Sequence, residues 1–258
     1  MNLILLAPDD VAPDGRVRLA DVRAAHIIAV LRATAGREIR VGLIDGPLGT
    51  GTILHTDDAA PAVEMQCVFD RPVPERPRVD LLLALPRPKV MRRLWAQLAA
   101  LGVGRIMLTN AARVERQYFD THVLAPAHVR PLLIEGLQQA RDTRLPNVTI
   151  HRQFRVLIED DLDALAGDII RLVTHPATSP SMHTAVRQAL TRSGDTAPAD
   201  RRLLIAVGPE GGWNDFELRL LEAHRFTMAG MGRRTLRADT ACVALLALVH
   251  DACREAGE

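Results

Sequence analysis

The hydrophobic positions of the chain follow two different patterns, one before and one after a proline-rich segment near residue 75. Before this segment, short apolar runs alternate with turns rich in Gly, Pro and Asp, which is typical of a small β-rich unit. These runs predict strands over residues 3–6, 38–44, 51–55 and 62–69, and one helix is predicted among them over residues 21–33.

After the proline-rich segment, apolar runs of strand length alternate with longer segments of helical periodicity. The predicted strands cover residues 79–84, 105–109, 148–151, 169–174, 203–207 and 226–228. The predicted helices cover residues 90–101, 127–140, 181–192, 215–224 and 238–255. Because such alternation builds a mainly parallel sheet covered by helices, the predicted fold class is α/β, preceded by the small β-rich unit.

The proline-rich segment itself predicts the domain boundary. Pro72, Pro74 and Pro77 lie among charged residues, so this stretch cannot form a helix and should be an extended connector. We therefore expect a first domain over residues 1–71, a linker over 72–78 and a second domain over 79–258.

Composition excludes several classes of protein. The chain has 258 residues, 48% hydrophobic and 24% charged, as an ordinary globular protein does. No apolar run approaches the ~20 residues that span a bilayer, and the first residues lack a basic leader, so we expect a cytoplasmic protein with no membrane partner. Cys67, Cys242 and Cys253 match no zinc or redox spacing, so we expect no metal, with Cys242 and Cys253 in the core.

The net charge of +1 conceals an uneven distribution. Residues 1–75 sum to −4 and residues 76–258 to +5. Lys89 is the only lysine among 32 basic residues, so arginine dominates, the side chain that binds phosphate through two parallel hydrogen bonds. A basic cluster surrounds Asp80 in sequence, and it could contact an RNA backbone or form an ordinary solvated face. The cluster consists of Arg76, Arg78, Arg87, Lys89, Arg92 and Arg93.

Loops that could carry function follow three of the predicted strands, and two of these loops contain glycine. Residues 208–213 follow one strand, residues 230–237 another, and His175 a third. Ligands of open α/β sheets bind beyond the carboxyl ends of the strands, so these loops could line one crevice. Taken singly, each feature has a plainer interpretation: a Gly-Gly turn, a solvated arginine face or a packed histidine. The sequence contains no phosphate-binding loop, dinucleotide fingerprint, metal-ligand motif or nucleophile elbow.

Several motifs occur together in an order that identifies a resemblance. Residues 208–212 read Gly-Pro-Glu-Gly-Gly, and residues 232–241 read Gly-Arg-Arg-Thr-Leu-Arg-Ala-Asp-Thr-Ala. Nearer the front, His26 precedes Val-Leu-Arg at residues 30–32, and Ala-Leu-Gly-Val occupies residues 100–103. In this order the chain resembles the RsmE family of the SPOUT superfamily over nearly its whole length. The resemblance implies a PUA-like RNA-binding domain followed by a SPOUT domain with a trefoil knot, an exception to the rule against threaded chains.

The resemblance also implies an activity and its residues. RsmE enzymes methylate N3 of a uridine in 16S ribosomal RNA with S-adenosylmethionine, so 16S RNA or the small ribosomal subunit is the expected partner. The cofactor-binding residues it implies are His175, Gly208, Pro209, Glu210, Gly211, Gly212, Met231, Gly232, Leu236, Thr240 and Ala241. The expected RNA-binding residues are His26, Arg32, Arg144 and Arg237. Arg237 is also expected to stabilise the uracil anion, and Glu210 is a candidate general base.

The sequence departs from the family pattern at several positions. Gln97 and Ala100 stand where the family usually has Lys and Glu, and Gln138 and Asp142 where it usually has Glu and Arg. The last motif departs at Arg233, Thr235 and Asp239. Two alternatives therefore stay open: a non-catalytic RNA-binding or ribosome-assembly factor, and a methyltransferase for another rRNA or tRNA position. The helix 238–255 is apolar on most sides and must be buried, either within a single large core or, as the resemblance implies, against a second copy of the chain in a homodimer.

Overall fold

A computed structural model of the chain describes residues 3–176, 178–192 and 201–255. Contacts divide the chain into two compact units. Unit 1 comprises Met1–Arg76 and Ile134–Leu145, and unit 2 comprises Pro77–Leu133 and Pro146–Glu258. The segment Ile134–Leu145, which the sequence pattern assigns to the second domain, thus groups with the first. No helix of the described ranges is long and apolar enough to cross a membrane.

Unit 1 is built on a five-stranded sheet. Its strands are β1 (Ile4–Leu6), β2 (Arg16–Leu19), β3 (Glu38–Leu43), β4 (Leu48–Asp57) and β5 (Ala62–Arg71), and its helix is α1 (Val22–Ala29). The order is β1-β3-β4-β5-β2, with β1 parallel to β3 and the other neighbours antiparallel. The sequence prediction lacks β2, although its four residues alternate between exposed arginines and the buried Val17 and Leu19.

The core of unit 1 follows from this alternation. Val63, Met65 and Cys67 point inward from β5, and α1 adds Ala24 and Ile27. β4 and β5 approach so closely that a Cβ on Gly49 would lie 2.0 Å from the Val68 carbonyl oxygen. Glycine is therefore required there.

Unit 2 contains a six-stranded parallel sheet. Its strands are β6 (Val79–Ala84), β7 (Val103–Thr109), β8 (Asn147–His151), β9 (Ile170–Thr174), β10 (Leu203–Val207) and β11 (Phe226–Ala229). The order is β11-β9-β10-β6-β7-β8. Every residue of β6 and β10 is buried, as expected of central parallel strands covered on both faces. The predicted α/β fold class is confirmed, while the passage of the chain through a knot stays a prediction.

The helices lie between and after these strands along the chain, and the second of them continues past Ile134 into unit 1. They are α2 (Pro88–Ala100), α3 (Pro126–Ala140), α4 (Phe154–Val156), α5 (Leu162–Ala166), α6 (Met182–Thr191), α7 (Asp215–Ala223) and α8 (Ala238–Glu255). The sequence prediction lacks α4, α5 and the π-helical turn Leu157–Asp161 between them. Their apolar residues nevertheless recur at helical spacing and are buried: Phe154, Leu157, Ile158, Leu162 and Ala166.

The C-terminal helix α8 packs against α6 and α2 and against the central strands. Its inward side includes Cys242, Leu245, Leu246 and Cys253, all buried, so the two cysteines belong to the core as predicted. Burial raises the pKa of the Cys242 thiol to about 12, so this thiol is protonated at neutral pH.

Candidate active site

A pocket of about 270 Å³ lies at the carboxyl ends of β9, β10 and β11, which are neighbours in the sheet of unit 2. Thr174 and Val207, the last residues of β9 and β10, line it. The three loops singled out in the sequence therefore do meet at one crevice. The lining includes the following residues implied by the resemblance: His175, Gly208, Pro209, Glu210, Gly211, Gly212, Met231, Gly232, Leu236 and Ala241. Thr240 lies in the first turn of α8, is exposed, and is absent from the pocket lining as far as the described residues define it.

Backbone hydrogen bonds hold the loop after β9 against the loop after β11. The Met182 amide donates to the Gly230 carbonyl at 2.8 Å, and the Gly230 amide donates to the Pro180 carbonyl at 3.0 Å. A Cβ on Gly230 would lie 2.3 Å from the carbonyl oxygen of Thr178. A residue with a side chain would therefore push the two loops apart, so glycine is required at 230.

The loop after β10 carries Trp213, a buried aromatic residue of the pocket lining. Trp213 is buried, and its ring centroid lies 5.3 Å from that of Phe154. The ring packs so closely on Gly208 that a Cβ there would lie 3.0 Å from Trp213 Nε1. This Nε1 is buried and has no hydrogen-bond partner among the described residues. Gly212, with φ of +75°, makes the turn that places the ring.

A capping interaction joins this loop to the segment that follows β7. Asn214 caps α7, and Glu217 accepts a hydrogen bond from the Asn214 amide at 2.8 Å. The second carboxylate oxygen of Glu217 accepts from the Ala112 amide at 2.6 Å. The next residue, Arg113, donates to the carbonyl oxygen of Gly211 and lines the pocket. Sequence motifs gave no sign of Arg113, although it lies shortly after a strand end, where ligand-binding residues are expected.

Charged side chains surround the mouth of the pocket. Glu210 forms an ion pair with Arg87 at 2.8 Å, and Arg93 forms one with Asp239 at 2.8 Å. Two members of the basic cluster thus have acidic partners, one in the loop after β10 and one in the first turn of α8. Arg234 lines the pocket, whereas Arg237 is absent from its lining within the described ranges. The Arg237 side chain is 72% exposed, and its Nε lies 3.9 Å from Asp239.

The match to known proteins covers both units. A family described as "RNA methyltransferase domain" matches residues 74–250. The ribosomal RNA small subunit methyltransferase E of Treponema pallidum (strain Nichols) is 31% identical over 255 residues, which cover 96% of this chain and 90% of that protein. The chain belongs to this family. A second methyltransferase E, from Borreliella burgdorferi, is 22% identical over 95% of both chains.

Two solved methyltransferase structures share the fold. The enzyme from Neisseria gonorrhoeae, bound to S-adenosyl methionine, covers 97% of both chains with a TM-score of 0.72 and 19% identity. A Legionella pneumophila methyltransferase, also in complex with this cofactor, gives a TM-score of 0.72 at 20% identity and 97% coverage of both chains.

The remaining residues that the family resemblance implies for RNA binding belong to unit 1. His26 lies in α1, and burial lowers the pKa of its imidazole. Arg32 follows that helix with φ of +50° and is exposed. Arg144 is half-buried, and its Nε donates to the Pro74 carbonyl at 2.6 Å, so its guanidinium fixes the predicted linker. The structure thus gives Arg144 a contact within unit 1 that the motif did not predict.

Two of the positions that depart from the family pattern also have a structural role in unit 1. Gln138 is buried in the last part of α3. Asp142 accepts hydrogen bonds from the amides of Thr143 and Arg144 at 2.6 and 2.9 Å, which closes the turn after that helix.

Proposed function

We propose that the chain is an S-adenosylmethionine-dependent methyltransferase that methylates N3 of a uridine in 16S ribosomal RNA of the small subunit. The observation that carries the proposal is the glycine-bounded pocket at the ends of three adjacent parallel strands, in a chain of the methyltransferase E family. The cofactor named for the two structural relatives supports the same ligand here.

The residues present fit this cofactor. The pocket volume of about 270 Å³ is close to the lower end of the ~300–1,000 Å³ usual for small-molecule sites. Gly232, with φ of +101°, leaves open space where a side chain would project. Trp213 Nε1 offers a buried donor that lacks a partner within the described part of the chain. His175, Gly208, Met231, Leu236 and Ala241 would hold the cofactor, together with Thr240 at the edge.

When bound, S-adenosylmethionine supplies a methyl group to N3, and the electron pair of the broken C–S bond stays on sulfur. N3 must lose its proton, and Glu210 is our candidate acceptor because its carboxylate lines the pocket. Arg237, exposed beside the cofactor loop, would hold the flipped uracil or its phosphate, and a guanidinium there would stabilise the developing anion. Alignment of the two reactants supplies much of the remaining acceleration.

The proposed partners are 16S RNA or the small ribosomal subunit and a second copy of the chain, all in the cytoplasm. His26, Arg32 and Arg144 are the proposed RNA contacts of unit 1. Leu245, Leu246 and most other apolar residues of α8 are buried within the single chain, and the exposed Val243, at 37%, is the α8 position at which we propose that the second copy packs. A non-catalytic assembly factor or a methyltransferase for another position remains the alternative that experiment must separate.

Calorimetry and methylation together test the function. The wild-type chain is expected to bind S-adenosylmethionine and to label small subunits from a strain that lacks the modification, at a uridine N3 found by mapping the modified base. A chain that binds no cofactor would favour the assembly factor. A label at another base would show that the chain methylates a different RNA position.

Arg237→Ala tests the anion-stabilising role. We expect normal cofactor binding and a fall in methylation of about 100-fold, in the range for loss of one charge-stabilising donor. Arg219→Ala, at an exposed arginine on α7, is the control and should keep full activity. Full methylation by Arg237→Ala would refute the role of this arginine.

A further inference from the structure

A second, smaller cavity adjoins the candidate cofactor pocket in unit 2. Its volume is about 160 Å³, and it shares Arg113, Pro209, Glu210 and Gly211 with the larger pocket. Its remaining wall comes from the segment after β6, including Arg87, and from Glu115 and Tyr118 after β7. Two adjoining cavities with lining residues in common suit two molecules that must react with each other.

The size and lining of the cavity suit one planar ring. A cavity of about 150 Å³ holds benzene, so 160 Å³ has room for a six-membered base. Tyr118, the only tyrosine in the chain, lines it and is half-buried. Aromatic faces are the usual stacking surfaces for bases removed from an RNA strand.

Hydrogen bonds hold Tyr118 in place. Its hydroxyl donates to Glu115 Oε1 at 2.6 Å, and Gln117 Nε2 donates to Glu115 Oε2 at 2.6 Å. The carboxylate of Glu115 is therefore engaged on both oxygens. The hydrogen bond to Glu115 also raises the pKa of Tyr118, so the phenol stays neutral at the pH of the cell.

The boundary between the two cavities carries opposite charges. Arg113 lines both, and one of its guanidinium nitrogens is engaged by the Gly211 carbonyl. Because a guanidinium has five N–H donors, others remain for the carbonyl oxygens that flank N3 of a uracil. Glu210 also lines both cavities and is held by Arg87 at 2.8 Å. At this boundary the guanidinium of Arg113 can donate to a carbonyl oxygen of the uracil, and the carboxylate of Glu210 can accept a hydrogen bond from its N3–H.

We propose that the smaller cavity is the subsite for the acceptor base, in which Tyr118 stacks on a single flipped pyrimidine and Arg113 binds a carbonyl oxygen of that base. The inference rests on the proposed methyltransferase function and extends it to the residues that select and orient the acceptor.

Tyr118→Ala and Tyr118→Phe test the stacking role. Loss of one base–aromatic stack is expected to lower kcat/KM for the RNA by about 5- to 150-fold, mainly through a higher KM, with cofactor affinity unchanged by calorimetry. Tyr118→Phe keeps the ring and should retain activity near that of the wild type. Arg116→Ala, exposed in the same turn and absent from the cavity lining, is the matched control. Wild-type kcat/KM in Tyr118→Ala would overturn the subsite.

Arg113→Ala and a crosslink on the unmodified chain complete the test. Arg113→Ala should lower kcat more than it raises KM, because a misplaced base still stacks. RNA with 4-thiouridine at the mapped position should crosslink, when irradiated with the wild-type chain, to the peptide that contains Tyr118. This experiment uses the wild-type chain and therefore does not depend on the folding of a variant. A crosslink confined to other peptides would refute the proposal. A wild-type chain that binds no S-adenosylmethionine would instead refute the function on which it rests.

Discussion

Asp80 shows how one buried side chain organises its surroundings. It lies on β6, fully buried, and accepts hydrogen bonds from Arg105 Nε at 2.9 Å and from Arg202 Nη2 at 2.5 Å. Gly104 makes room for this group, since a Cβ there would lie 3.1 Å from Asp80 Oδ1 and 3.0 Å from Arg202. In the sequence Asp80 is the one acidic residue within a basic cluster, but the arginines that it binds lie outside that cluster.

Asp80→Asn is expected to destabilise the protein by about 2 kcal/mol, because two partly buried guanidinium groups lose their common counter-charge. The urea midpoint of unfolding measures the effect. Asp168→Asn, at an exposed position, should stay within about 0.5 kcal/mol of the wild type. Equal midpoints for the two variants would show that Asp80 does not stabilise the fold.

At the scale of elements, most strands and helices followed from periodicity. β6, β10 and α8 have the bounds that the pattern predicts, because long apolar runs and clear helical spacing leave little choice. β2 is only four residues long, and the α4–α5 region is interrupted by a π-helical turn, so each gives a weaker periodic signal. The positions of the loops at the strand ends were predicted correctly, but the side-chain contacts of these loops were not predicted.

The start of α7 gives a prediction at this scale. Glu217→Ala removes the capping box with Asn214 and the acceptor of the Ala112 amide, so it should cost about 1–3 kcal/mol and release the segment that carries Arg113. Denaturant unfolding measures the stability, and methylation at saturating cofactor measures the site. Glu222→Ala, exposed on the same helix, should change neither quantity. The interpretation fails if both variants behave alike.

At the scale of the whole molecule, the proposed dimer can be tested through α8. The wild-type chain should sediment with twice the mass of one chain, and Val243→Asp should shift it towards the monomer, because a charge would then be buried in the interface. Val156→Asp on α4 is a matched control, since Val156 is 39% exposed and Val243 37%. A monomer mass independent of wild-type concentration would exclude the dimer.

The sequence by itself determined the fold class, the order of most elements and the three loops of the pocket, because these depend on local periodicity and on where strands end. Only the tertiary structure showed that Arg113 and Trp213 also line the site. The Ala112 amide meets Glu217, more than 100 residues away, and this contact places Arg113 against Gly211. Trp213 likewise enters the lining through its packing on Gly208. Such contacts depend on how distant segments pack together, which periodicity along the chain does not encode.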